Sequence, residues 1–60
     1  MMNNIPKDPV MLLSYLNTQL RDHYASLDEL CGALMLDKEE LETKLAGISY
    51  RYDQTRNQFV

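Results

Sequence analysis

A single cysteine, two prolines, two glycines and no tryptophan stand among the 60 residues, and each scarcity narrows what the chain can be. With Cys31 alone, no disulfide can close within the chain, and Cys31 with His23 falls short of the four protein ligands of a structural zinc site. The low glycine and proline content, beside 45% hydrophobic and 25% charged residues, places the chain with globular domains and away from fibrous or disordered ones. No stretch approaches the roughly 20 consecutive apolar residues of a membrane span. Residues 1–9 also lack the basic start and apolar run of a secretory leader. The expected setting is therefore the cytoplasm, with no membrane contact. Cations are scarce too: 6 Lys and Arg against 9 Asp and Glu leave a formal charge of -3, which counts against a surface built for nucleic acid.

What is present reads as one domain, residues 1–60, in which an arm (1–8), three helices (9–47) and a terminal hairpin (48–60) follow one another. A chain of this length buries only about 60% of the surface its unfolded form exposes, so self-association is the remaining aid to stability. Residues 1–7 carry two Asn and a Pro without periodicity and are expected to be extended, with Ile5 touching the core. Asp8-Pro9 opens the first helix, Asp8 as cap and Pro9 at the first helical position, where its missing N–H costs nothing. From there to about Tyr24, Val10, Leu12, Leu13, Leu16, Leu20 and Tyr24 share a stripe expected to face the core, opposite Ser14, Thr18, Arg21 and Asp22. Met11 and Tyr15 fall outside that stripe, one turn apart on the polar side.

Ser26-Leu27-Asp28-Glu29 has capping-box spacing and starts a second helix that carries Leu27, Leu30, Cys31 and Leu34 on one face. The spacing recurs at Asp37-Lys38-Glu39-Glu40, ahead of Leu41 and Leu45, and Gly47 is expected to end this third helix in left-handed geometry. Alternation of Ile48, Tyr50 and Tyr52 with polar residues then predicts a strand, with Gln58–Val60 returning beside it. The fold class is mainly α: a three-helix, helix-turn-helix-like domain with a small C-terminal β-hairpin, in winged-helix order.

That order invites a DNA-binding reading, in which residues 38–46 would enter the major groove and Arg51 and Arg56 on the wing would meet phosphates. The charges oppose it: Asp37, Glu39, Glu40 and Glu42 outnumber Lys38 and Lys44 on the would-be recognition helix. His23 near a helix end and Cys31 between leucines read as a cap and a packed apolar residue rather than catalytic groups. The paired acids at 28–29 and 39–40 are accounted for by capping. The expectation is a non-enzymatic module that needs no cofactor or small-molecule substrate and binds protein, its own copies included, through Met11 and Tyr15. The alternative is a winged-helix transcriptional regulator using Arg51 and Arg56.

The run Asn4-Ile5-Pro6-Lys7-Asp8-Pro9-Val10-Met11-Leu12-Leu13-Ser14, then Leu20-Arg21-Asp22, Ser26-Leu27-Asp28-Glu29-Leu30-Cys31, Tyr52-Asp53 and Asn57-Gln58-Phe59, resembles a family of short bacterial proteins known as a domain of unknown function, DUF4250. The resemblance implies a bacterial, cytoplasmic, stand-alone domain and assigns no activity and no site residue. It also singles out residues 5–8, whose definite order suits an arm packed on the helical core or on a second subunit.

Overall fold

The computed structural model describes residues 5–60, which form three helices followed by an antiparallel hairpin. They are α1 (Pro9–Asp22), α2 (Leu27–Leu34), α3 (Lys38–Ala46), β1 (Tyr52–Asp53) and β2 (Gln58–Phe59). Residues 1–4 of the expected arm lie outside the described residues, while Ile5 packs half-buried against the core.

Each helix starts at its predicted cap, because the first backbone N–H groups of a helix have no partner within it. Asp8 accepts the Met11 N–H at 3.1 Å, Ser26 accepts the Glu29 N–H at 3.0 Å, and Asp37 accepts those of Glu39 and Glu40 at 3.0 and 3.3 Å. Glu29 reaches back one residue further than a capping box requires, to the Ala25 N–H at 3.1 Å, and so holds the α1–α2 connection.

The helix ends depart more from expectation. α1 stops at Asp22 rather than near Tyr24: the His23 N–H still makes the regular helical bond to the Gln19 carbonyl, but the Tyr24 N–H bonds that same carbonyl instead of the one on Leu20. Gly47 keeps right-handed helical angles (φ -63°, ψ -21°), and the left-handed residue is Ser49 at φ 67°. The reason lies in the closing bonds: Ser49 N–H meets Ala46 O and Tyr50 N–H meets Leu45 O, the paired closure whose geometry demands a left-handed residue at position 49. Ile48 and Ser49 therefore belong to the end of α3 and not to a strand. Hairpin pairing starts only at Arg51, which exchanges two backbone bonds with Val60 at 3.0 and 2.8 Å. α2 closes in a related way, with Met35 left-handed at φ 57° and the Leu36 N–H on the Cys31 carbonyl.

The core joins Leu12, Leu16 and Leu20 of α1, Leu27, Leu30 and Cys31 of α2, Leu41 and Leu45 of α3, and Phe59 of β2. Full burial of each such leucine contributes about 2 kcal/mol. Val10 does not join them: it is 63% exposed, because at 100° per residue it lies about 120° around α1 from Leu16, the middle of the buried stripe.

Two substitutions should stabilise the fold through the backbone alone. Met35 is 90% exposed in a left-handed conformation that costs a non-glycine residue about 1 kcal/mol, and Gly32 sits inside α2 with open space where a Cβ would go. Met35→Gly and Gly32→Ala should each raise the unfolding free energy by about 1 kcal/mol in urea titrations.

Candidate interaction surface

The hairpin is held against α1 by side-chain amides, and this attachment decides what the surface around it presents. Asn17, midway along α1, pairs with the backbone of Phe59 in both directions: its Nδ2 donates to the Phe59 carbonyl at 3.2 Å and its Oδ1 accepts the Phe59 N–H at 2.8 Å. One amide thus occupies the outer edge of β2 as a neighbouring strand would. Asn57, left-handed at φ 53°, sends its Nδ2 to the carbonyls of Leu20 (3.1 Å) and Tyr24 (2.9 Å) at the end of α1. Its Oδ1 accepts the Tyr52 hydroxyl at 2.6 Å, and that hydroxyl in turn accepts the Leu27 N–H at the start of α2. Asp53 shapes the turn by accepting the N–H groups of Thr55 and Arg56 on one oxygen.

With the hairpin so placed, the expected binding residues separate. Met11 stands 62% exposed beside Val10 on the first turn of α1, whereas Tyr15, one turn on, is half-buried against the core. Near this end of α1, Ile5, Pro6 and Lys7 form one wall of a depression of about 280 Å³ whose floor includes Leu12, Leu36 and Leu41. The expectation took the stripe too wide: Val10 lies about 120° around the helix from Leu16, whereas the buried Leu12 and Leu20 lie within about 40° of it.

Arg51 and Arg56 are not brought together. Arg56 sits on the hairpin turn, 3.8 Å from Asp53, beside a groove it shares with Arg21, and Arg21 is itself held by Asp22 at 2.9 Å. Arg51 lies at the open end of the hairpin, and among the described residues its side chain has no partner. Of the two cations on α3, Lys38 is engaged by Asp28 at 2.8 Å, a hydrogen bond that raises its pKa. Glu39, Glu40 and Glu42 remain exposed on that helix with Lys44. Among the described residues no group of three His, Cys, Asp or Glu is placed to hold a metal ion, and no helix is long and apolar enough to cross a membrane.

The segments that enter this arrangement, from Pro6 through the caps at Asp8 and Ser26 to the Tyr52, Asn57 and Phe59 cluster, are those in which the family described as Domain of unknown function (DUF4250) matches the chain, over residues 6–59. The chain belongs to this family. Comparison with curated proteins and with solved structures finds no match. The match takes in the whole described part of the DUF4250 domain except Ile5 and Val60, so helices, hairpin and amide contacts fall inside it.

Asn57→Ala removes a left-handed residue and three hydrogen bonds, and should lower stability by about 3 kcal/mol. Asn57→Asp should be at least as damaging at neutral pH, because a carboxylate would face two carbonyls, and should recover partly on acidification, when a protonated carboxyl can again donate; urea midpoints at two pH values check this. Burial pushes the Cys31 thiol above its ordinary 9.0, so the unfolded chain loses that proton first. The thiol's contribution to stability is therefore complete below pH 9.0 and is lost as pH rises beyond it, and Cys31→Ala should flatten that part of the urea-midpoint curve.

Proposed function

We propose that this domain works by binding protein, a second copy of itself included, rather than by carrying out a reaction, in the cytoplasm of a bacterium. The observation that carries the reading is the pair Val10 and Met11, 63% and 62% exposed, on the turn just before a stripe of leucines that are 2% exposed or less. Methionine adapts its shape to a partner, and both methionine and aromatic residues are favoured at interface centres. The half-buried Tyr15, one turn on from Met11, adds aromatic surface to the same helix. Because a single chain already buries Leu12, Leu16, Leu20, Leu27, Leu30 and Leu45, the partner is not required to complete the core. This favours a reversible contact over an obligate one.

A DNA-binding role has less support. It would need Arg51 and Arg56 on one face, and the hairpin sets them at opposite ends with Asp53 between; α3 would offer Glu39, Glu40 and Glu42 to phosphates.

Met11→Ser is the clean test, since Tyr15→Ser also removes packing from the core. The substitution should leave the melting temperature nearly unchanged while reducing self-association or capture of a cellular protein partner, measured by sedimentation and by affinity purification. Association and partner capture both unchanged in Met11→Ser and in the Val10→Ser, Met11→Ser double variant would overturn the α1 surface, and salt-sensitive binding to duplex DNA by the wild-type protein would overturn the protein-binding reading itself.

A further inference from the structure

The two edges of the hairpin are treated differently. Arg51 and Val60 exchange both of their backbone hydrogen bonds, so in an antiparallel ladder the next pair, Tyr52 and Phe59, must turn its N–H and C=O groups outward. On the β2 side those outward groups of Phe59 are filled by the Asn17 amide. On the β1 side the corresponding groups of Tyr52 have no counterpart of Asn17 and take no partner among the described residues. β1 itself packs principally on β2.

An open strand edge is usually guarded by charge. Here the flanking charges are of opposite sign and evenly placed: Arg51 precedes Tyr52 and Asp53 follows it. We infer that β1 pairs with β1 of a second copy of this chain, antiparallel and centred on Tyr52, so that the two Tyr52 residues exchange the N–H···O bonds left open in each. This register is the one the outward-pointing groups permit. It places Arg51 of each copy opposite Asp53 of the other, in the close, non-hydrogen-bonded position where cross-strand side chains interact most strongly. The arrangement is two-fold symmetric, as an isologous dimer requires.

The side chains suit the role. Residues alternate across a sheet, so Tyr52, turned inward to its bonds with Leu27 and Asn57, leaves Arg51 and Asp53 on the other face. Among the described residues the Arg51 side chain has no partner. Asp53 spends Oδ1 on the turn, while its Oδ2 is 3.8 Å from the Arg56 Nε, a loose contact that leaves it free to accept a guanidinium. The ladder cannot run far, because the Tyr50 N–H is already given to Leu45. With so short a strand, the two Arg–Asp pairs decide between pairing and repulsion. The inference rests on the self-association part of the reading above but uses a different surface from Met11.

The test combines sedimentation over a concentration series with hydrogen exchange read at the Tyr52 amide, for the wild type, Arg51→Glu and Met11→Ser. The wild type should dimerise, and its Tyr52 amide should exchange more slowly as concentration rises. Arg51→Glu sets a like charge opposite each Asp53 and should weaken the dimer by about tenfold or more with an unchanged melting curve at low concentration. A wild type that stays monomeric, a dimer whose Tyr52 exchange ignores concentration, or an Arg51→Glu variant that dimerises as well as wild type would each overturn edge pairing. Dimerisation lost in Met11→Ser and kept in Arg51→Glu would overturn it while leaving the α1 surface standing.

Discussion

The structure depends on two asparagine side chains that let the hairpin substitute for what α1 and β2 lack. A helix ends with carbonyls that have no partner, and a two-stranded sheet has an edge with the same defect. Asn57 supplies donors to the first and Asn17 fills the second, so each element satisfies the other's unpaired groups. Without this exchange Phe59 could not be carried to 1% exposure, since its backbone would enter an apolar site with both polar groups unmet. The core of so small a chain is closed by its last strand, and that strand is admitted by an amide.

The same economy is visible at the connections. The turn after α1 is held by Glu29 from α2, and the turn after α2 leads directly into the Asp37 cap of α3. Tyr52 reaches from β1 to the first N–H of α2, so the hairpin touches two helices through polar contacts as well as through Phe59. The α3–β1 connection is closed by its own backbone, through Ile48, Ser49 and Tyr50 onto the last carbonyls of α3, and the β1–β2 turn by Asp53. Such bonding explains how the three left-handed residues Met35, Ser49 and Asn57 are tolerated without glycine: the surrounding bonds over-determine the backbone there.

What could be read from the amino acids alone was whatever depends on near neighbours. The caps at Asp8, Ser26 and Asp37 and the leucine spacing of the three helices act over three or four residues, so their positions were legible. The hairpin was legible in order but not in extent, because Ile48 alternates with its neighbours as a strand residue does while its N–H still serves the end of α3. Periodicity and turn chemistry gave no sign of the bonds from Asn17 and Asn57 to other elements, since those backbone partners lie 33 to 42 residues away. The site was read in a similar proportion. Met11 is exposed as expected, Tyr15 is partly withdrawn into the core, and Val10 was misplaced because the apolar stripe was drawn wider than the face that three neighbouring elements cover.

The long reach of these amide bonds also sets an order of events in time. A ribosome makes α1 well before Phe59, so during synthesis the leucine stripe of α1 must wait, partly uncovered, through the making of α2, α3 and both strands. Closure then comes in one step, when Asn57 and Phe59 arrive together. A chain built this way has little to gain from folding piecemeal as it emerges, and its nascent form is the state in which neighbouring copies or chaperones would most readily find exposed leucine.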